Sequence, residues 1–168
     1  PRRTRTPDVA HSPPQARANT AVNPGSTALP VARSNGILTA GVFPSGGLLA
    51  GRVSAMTTDG WTWEDMTILD DAGLAVRWPR GNREASVKRL DEVFAKARAW
   101  HAAKKADPTV ATDLRWQSMG RALARASKVF VLVNDLDGIT SAVQWGTRNK
   151  LDIVIVGGRD AVLCARLL

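Results

Sequence analysis

Apolar and polar positions along this chain change their spacing several times, and each change marks an element. Residues 1–30 carry Pro1, Pro7, Pro13, Pro14, Pro24 and Pro30 among small polar side chains. Proline at that density removes backbone donors and fixes φ, so an irregular arm is expected over 1–27 and the folded domain over 28–168. A short helix is read at 28–35, stopped by Gly36. The run ILTAGVF at 37–43 reads as a buried strand, closed by the tight loop Pro44-Ser45-Gly46-Gly47. Residues 52–57 and 74–78 read as further short strands, and 61–66 as a helical turn or loop lid after Asp59-Gly60.

The strongest helix signal spans 84–105, where Val87, Leu90, Phe94, Ala97 and His101 recur every three or four residues. A second helix is read at 110–126, with Leu114, Met119 and Leu123 inward. VFVLV at 129–133 and IVIV at 153–156 are uniformly apolar, as strands covered on both faces must be. Between them Ile139, Ala142, Val143 and Gly146 fall on one helical face, with Asn134 or Asp135 available as a cap. Asp160 is read as the cap of a last helix over 161–168. Strand, helix, strand, helix with short loops predicts parallel βαβ units. Four or five strands are too few to close a (β/α)8 barrel, which takes about 250 residues. The expected fold is therefore α/β, either an open sheet or a segment of a barrel.

Composition narrows the function only a little. Of the 168 residues, 44% are hydrophobic and 23% charged, ordinary values for a folded domain. No apolar run approaches a membrane span of about 20 residues, and no signal peptide is visible, so a soluble chain without a membrane partner is expected. A lone cysteine, Cys164, excludes an internal disulfide and leaves the compartment open. The formal net charge of +8 is spread along helices beside acids, with no basic-aromatic motif, so nucleic-acid binding is not expected. Pro1 in place of methionine, and a helical pattern still running at Leu168, lead to the expectation of a piece of a longer protein.

Candidate chemistry is confined to loops. Ser45, Gly46 and Gly47 can present backbone N–H groups to a substrate or anion. Gly157, Gly158, Arg159 and Asp160 form a phosphate-type turn, and Asn134 and Asp135 follow a strand end. Structural punctuation and capping account for these same residues without chemistry. Ser45 has no histidine partner, which disfavours a serine hydrolase. Trp61 and Trp63 are read as packing residues before ligand platforms.

Three ordered segments carry a resemblance: VNPGS at 22–26 with PVARSNGI at 30–37, PSGGLLAG at 44–51 with DGWTWEDM at 59–66, and VFVLVND at 129–135 running to IVIVGGRDA at 153–161. From about residue 20 onward the chain resembles bacterial amidohydrolase-superfamily proteins related to imidazolonepropionase. The resemblance implies a partial TIM-type barrel of parallel strands alternating with helices. It also implies a parent enzyme that uses a divalent metal, zinc or similar, to hydrolyse a small-molecule amide-type C–N bond. Such a metal lowers the pKa of its bound water toward about 7. The family's His-x-His pair is absent here, and its place would precede residue 1. Two further family histidines fall on Leu132 and Gly157, and the late aspartate would lie beyond Leu168. His11 and His101 match no ligand position. No metal ligand is carried over, none is expected to bind this chain, and an inactive fragment or a derived binding or assembly module is expected. Homo-oligomerisation is left open.

Overall fold

The computed structural model describes residues 14–168; the first thirteen residues, including His11, lie outside the described part. In chain order the elements are α1 (Ala28–Ser34), β1 (Thr39–Val42), β2 (Leu49–Thr57), α2 (Trp63–Met66), β3 (Thr67–Arg77), α3 (Arg83–Ala106), α4 (Leu114–Leu123), β4 (Lys128–Val133), α5 (Leu136–Arg148) and β5 (Ile153–Gly157). The strands form one curled five-stranded sheet in the order β1-β2-β3-β4-β5.

Parallel alternation holds only for the second half of this sheet. β3, β4 and β5 are parallel, whereas β1, β2 and β3 run antiparallel. Loop length decides this difference. Short connections return the chain antiparallel, while α3 with α4, and then α5, supply the long crossovers that parallel neighbours need. The expected fold is therefore corrected to a mixed α/β sheet. β3 also starts earlier than its apolar pattern suggests, because Asp70, Asp71 and Gly73 interrupt it. Those aspartates are held by ion pairs: Asp70 to Arg17 at 3.2 Å, and Asp71 to Arg52 at 3.6 Å and Arg121 at 3.7 Å. Asn19, fully buried, donates to Asp70 Oδ1 at 2.9 Å and so ties residues just before α1 to β3.

The main core lies between the sheet and α3, α4 and α5. Leu74, Val76, Val129, Val131 and Val133 face Leu90, Phe94, Met119, Ile139 and Trp145. Phe94 meets Trp145 edge to face at 5.3 Å, and the Trp145 indole N–H donates to Asp91 at 2.9 Å, so a buried polar atom is satisfied. On the other face a smaller cluster of Val53, Ala75, Phe43, Phe130 and Leu132 forms. Leu114, expected inward, is exposed, because α4 begins there behind its cap Asp113. His101 is half-buried with Nε2 2.7 Å from the Trp116 carbonyl, a contact that joins α3 to α4. The last segment is a 3-10 turn, Ala161–Cys164, and not the long helix its pattern suggests. Among the described residues no helix is long and apolar enough to cross a membrane.

Two outcomes follow from this packing. A Cβ on Gly73 would stand 1.9 Å from the Lys128 carbonyl oxygen, so β3 and β4 approach too closely for any side chain there. Gly73→Ala should destabilise the fold by about 2–3 kcal/mol in urea unfolding; an unchanged midpoint would contradict this register. β5 ends the sheet with Val154 37% exposed. An apolar edge invites pairing, so sedimentation velocity should show concentration-dependent self-association that Val154→Lys reduces.

Candidate functional site

β1 runs in the same direction as β3, since both are antiparallel to β2. The loop after β1 therefore leaves the sheet at the edge where β3, β4 and β5 end. Backbone bonds link the segments along that edge. Arg77 N donates to Leu48 O at 3.0 Å, Trp78 N to Leu132 O at 3.1 Å, Gly158 N to Val133 O at 2.8 Å, and Asp160 N to Asn134 O at 3.0 Å. The order along the edge is the 45–47 loop, Arg77-Trp78, Asn134-Asp135, then residues 157–160. All the loop candidates thus share one edge, although they fall in three separate stretches of sequence. Ser45 and Gly46 are exposed and Gly47 is half-buried.

The side chains on the β4–β5 side are largely engaged in holding α5. Asp135 Oδ1 accepts from Gly138 N at 2.8 Å and from Arg83 Nη2 at 3.4 Å. The Gly138 N–H holds the Asp135 carboxyl below its usual range against the opposing effect of desolvation, with lesser help from the charges of Arg83 and Arg80. Asp160 makes no side-chain cap to the turn that follows it. It reaches across instead, taking Leu136 N at 3.3 Å while its other oxygen pairs with Arg159 Nε at 3.2 Å. Two amides at the start of α5 are therefore already bonded to carboxylates, and an incoming anion would compete with both.

Sequence reasoning overlooked the arginines at and just after the end of β3. Arg77 and Arg80 are exposed on this edge, Arg77 in register with Leu132.

Whether this edge fits a divalent metal can be tested on Leu132 and Gly157. Leu132 packs into the apolar cluster with Phe130. Gly157 adopts φ +93°, and a Cβ there would lie 2.5 Å from Asn134 Oδ1. An imidazole-bearing residue at that position meets backbone strain, and the Asn134 amide would have to turn aside to admit it. Among the described residues no group of three or more histidines, cysteines or carboxylates is placed to hold an ion. The described residues at this edge do not fit the metal.

No family model and no curated protein matches this chain. Among solved structures, the crystal structure of an amidohydrolase from Thermotoga maritima MSB8 matches 96% of this chain with a TM-score of 0.87 and 17% sequence identity. This chain spans 47% of that protein's length. The likeness establishes the fold: the chain is built like about half of that amidohydrolase.

The Asp135 cap gives a pH-dependent outcome. Asp135→Ala should cost about 1 kcal/mol near neutral pH. A carboxylate with a depressed folded pKa stabilises only while ionised, so the gap between native and variant should stay flat above about pH 5 and shrink below about pH 4. Thermal melts across that range check it; a gap that widens in acid would contradict the assignment.

Proposed function

We propose that this chain is a segment of an amidohydrolase-superfamily barrel related to imidazolonepropionase, and that its share of the barrel carries no metal ligand. The observation that carries the reading is the match of 96% of the chain to an amidohydrolase fold, read with the ordered motifs PSGGLLAG, DGWTWEDM and IVIVGGRDA. The parent activity is metal-dependent hydrolysis of a small molecule at a non-peptide C–N bond of the cyclic-amide type. In that reaction a bound divalent ion supplies activated water. The part of this chain is to build one wall of the site: the 45–47 loop, Arg77 and Arg80 line the ligand-bearing edge, while Asp135 and Asp160 fix α5 behind it.

A second reading is favoured by Gly157 and Asn134. At a position where the resembling family carries histidine, the backbone stands at φ +93° with the Asn134 side chain against it, an arrangement that favours glycine. A non-catalytic binding or assembly module keeps the α/β frame with such a substitution inside it.

Metal analysis after loading with zinc or manganese, paired with a cyclic-amide hydrolysis assay, separates the readings. This chain alone should hold no stoichiometric metal and show no turnover. The protein made from the complete reading frame should bind metal and hydrolyse under the first reading and do neither under the second. Stoichiometric metal with turnover by this chain alone overturns both.

A further inference from the structure

At the opposite edge of the sheet, where β2 ends, lies a cavity of about 640 Å³ between the loop before α1 and the loop after β2. We propose that this cavity is a binding site for a neutral saccharide, with the Trp61 indole as its stacking platform. Trp61 is 94% exposed, whereas the other five tryptophans, all among the described residues, are buried or half-buried. Among the described residues nothing packs over this indole.

Its exposure is built in by the loop on either side. Before it, Thr58 is fixed by its N–H on the Leu38 carbonyl at 3.0 Å and its hydroxyl on the Ile37 carbonyl at 2.9 Å. Gly60 presses so close to buried Met66 that a Cβ there would meet Met66 Cγ at 2.6 Å. After it, Thr62 and Asp65 form a reciprocal capping box that starts α2. The indole is thus held out from two anchored points, and the apolar rings of Pro24 and Pro30 line the same cavity.

The polar groups of the cavity select the ligand class. Among the described residues its charged lining residues are Arg33 and Asp59, paired with each other, and Arg33 Nη1 also donates to the Thr58 carbonyl at 3.3 Å. A mutually neutralised pair gives an incoming ion no net attraction. It still offers carboxylate acceptors and guanidinium donors side by side, suited to adjacent hydroxyls. A ligand with an apolar C–H face for the indole and a hydroxyl rim for the pair is a pyranose, and the volume lies in the usual range for small-ligand sites.

Isothermal titration with maltose, cellobiose and lactose tests this, with glucuronate and glucosamine as charged probes and a polyproline peptide as a competitor for the aromatic face. Saturable millimolar binding of at least one neutral disaccharide is expected. Trp61→Ala should weaken it about tenfold, Trp61→Phe should retain most of it, and Asp59→Asn should weaken it with an unchanged circular dichroism spectrum. Arg115→Ala, remote from the cavity, should leave it unaltered. No saturable signal with any neutral disaccharide, undiminished binding by Trp61→Ala, or preferential binding of a charged sugar or the peptide overturns the proposal.

Discussion

β4 has a hydrogen-bonded neighbour on each side and helices across one face, so every side chain along it has an assigned place. Val129, Val131 and Val133 point into the core beneath α3, α4 and α5, while Phe130 and Leu132 face the other way. A parallel strand in this position tolerates no polar interruption. The crossovers that flank it set where α3 and α5 lie, and its C-terminal end sets where Asn134 and Asp135 emerge. The β1–β2 meander is joined to this unit through β3, at a point where Gly73 lets two backbones nearly touch.

The edge where β3, β4 and β5 end inherits its character from that strand. Leu132 is the last residue of β4 to face away from the helices, and its apolar neighbours belong to the small second cluster. One strand further, Gly157 turns through a left-handed conformation against the Asn134 side chain. Between them these two residues occupy the strand-end positions from which a barrel presents its chemistry. Electrostatics at the edge is left to arginines. Arg83 and Arg159 are paired to the carboxylates that hold α5, and Arg77 and Arg80 stand exposed beside them. The edge is therefore organised around helix anchoring and positive charge, not around a ligand cage.

What the sequence made legible follows from how strongly each pattern is forced. VFVLV admits few readings, and α5 after it is capped by Asp135 as its position suggests. IVIV forms β5, but as an edge strand open on one side, and the run at 37–43, read as buried, yields β1 with its first three residues exposed. The β3 strand was only half visible, because its first residues carry Asp70 and Asp71 for partners on distant segments, and no local pattern names those partners. The antiparallel meander was hidden for a related reason: strand direction depends on neighbours, not on side-chain period. Each loop candidate could be picked out by residue type, but their gathering on one edge is a property of topology. Arg77 and Arg80 were overlooked because solvated charge looks alike wherever it stands. Trp61 was misjudged as packing, since aromatic character alone does not tell a buried ring from a presented one.

At this strand edge the backbone at residue 157, at φ +93°, disfavours a metal-ligating side chain, beyond the lack of imidazoles at 132 and 157. The most direct measurement of this is a zinc titration of the Leu132→His, Gly157→His double variant. The account predicts a lower melting temperature than the unaltered chain and no saturable zinc site, because residue 157 stands in a backbone conformation that a histidine rarely adopts. A stably folded variant that binds one zinc ion per chain would contradict it.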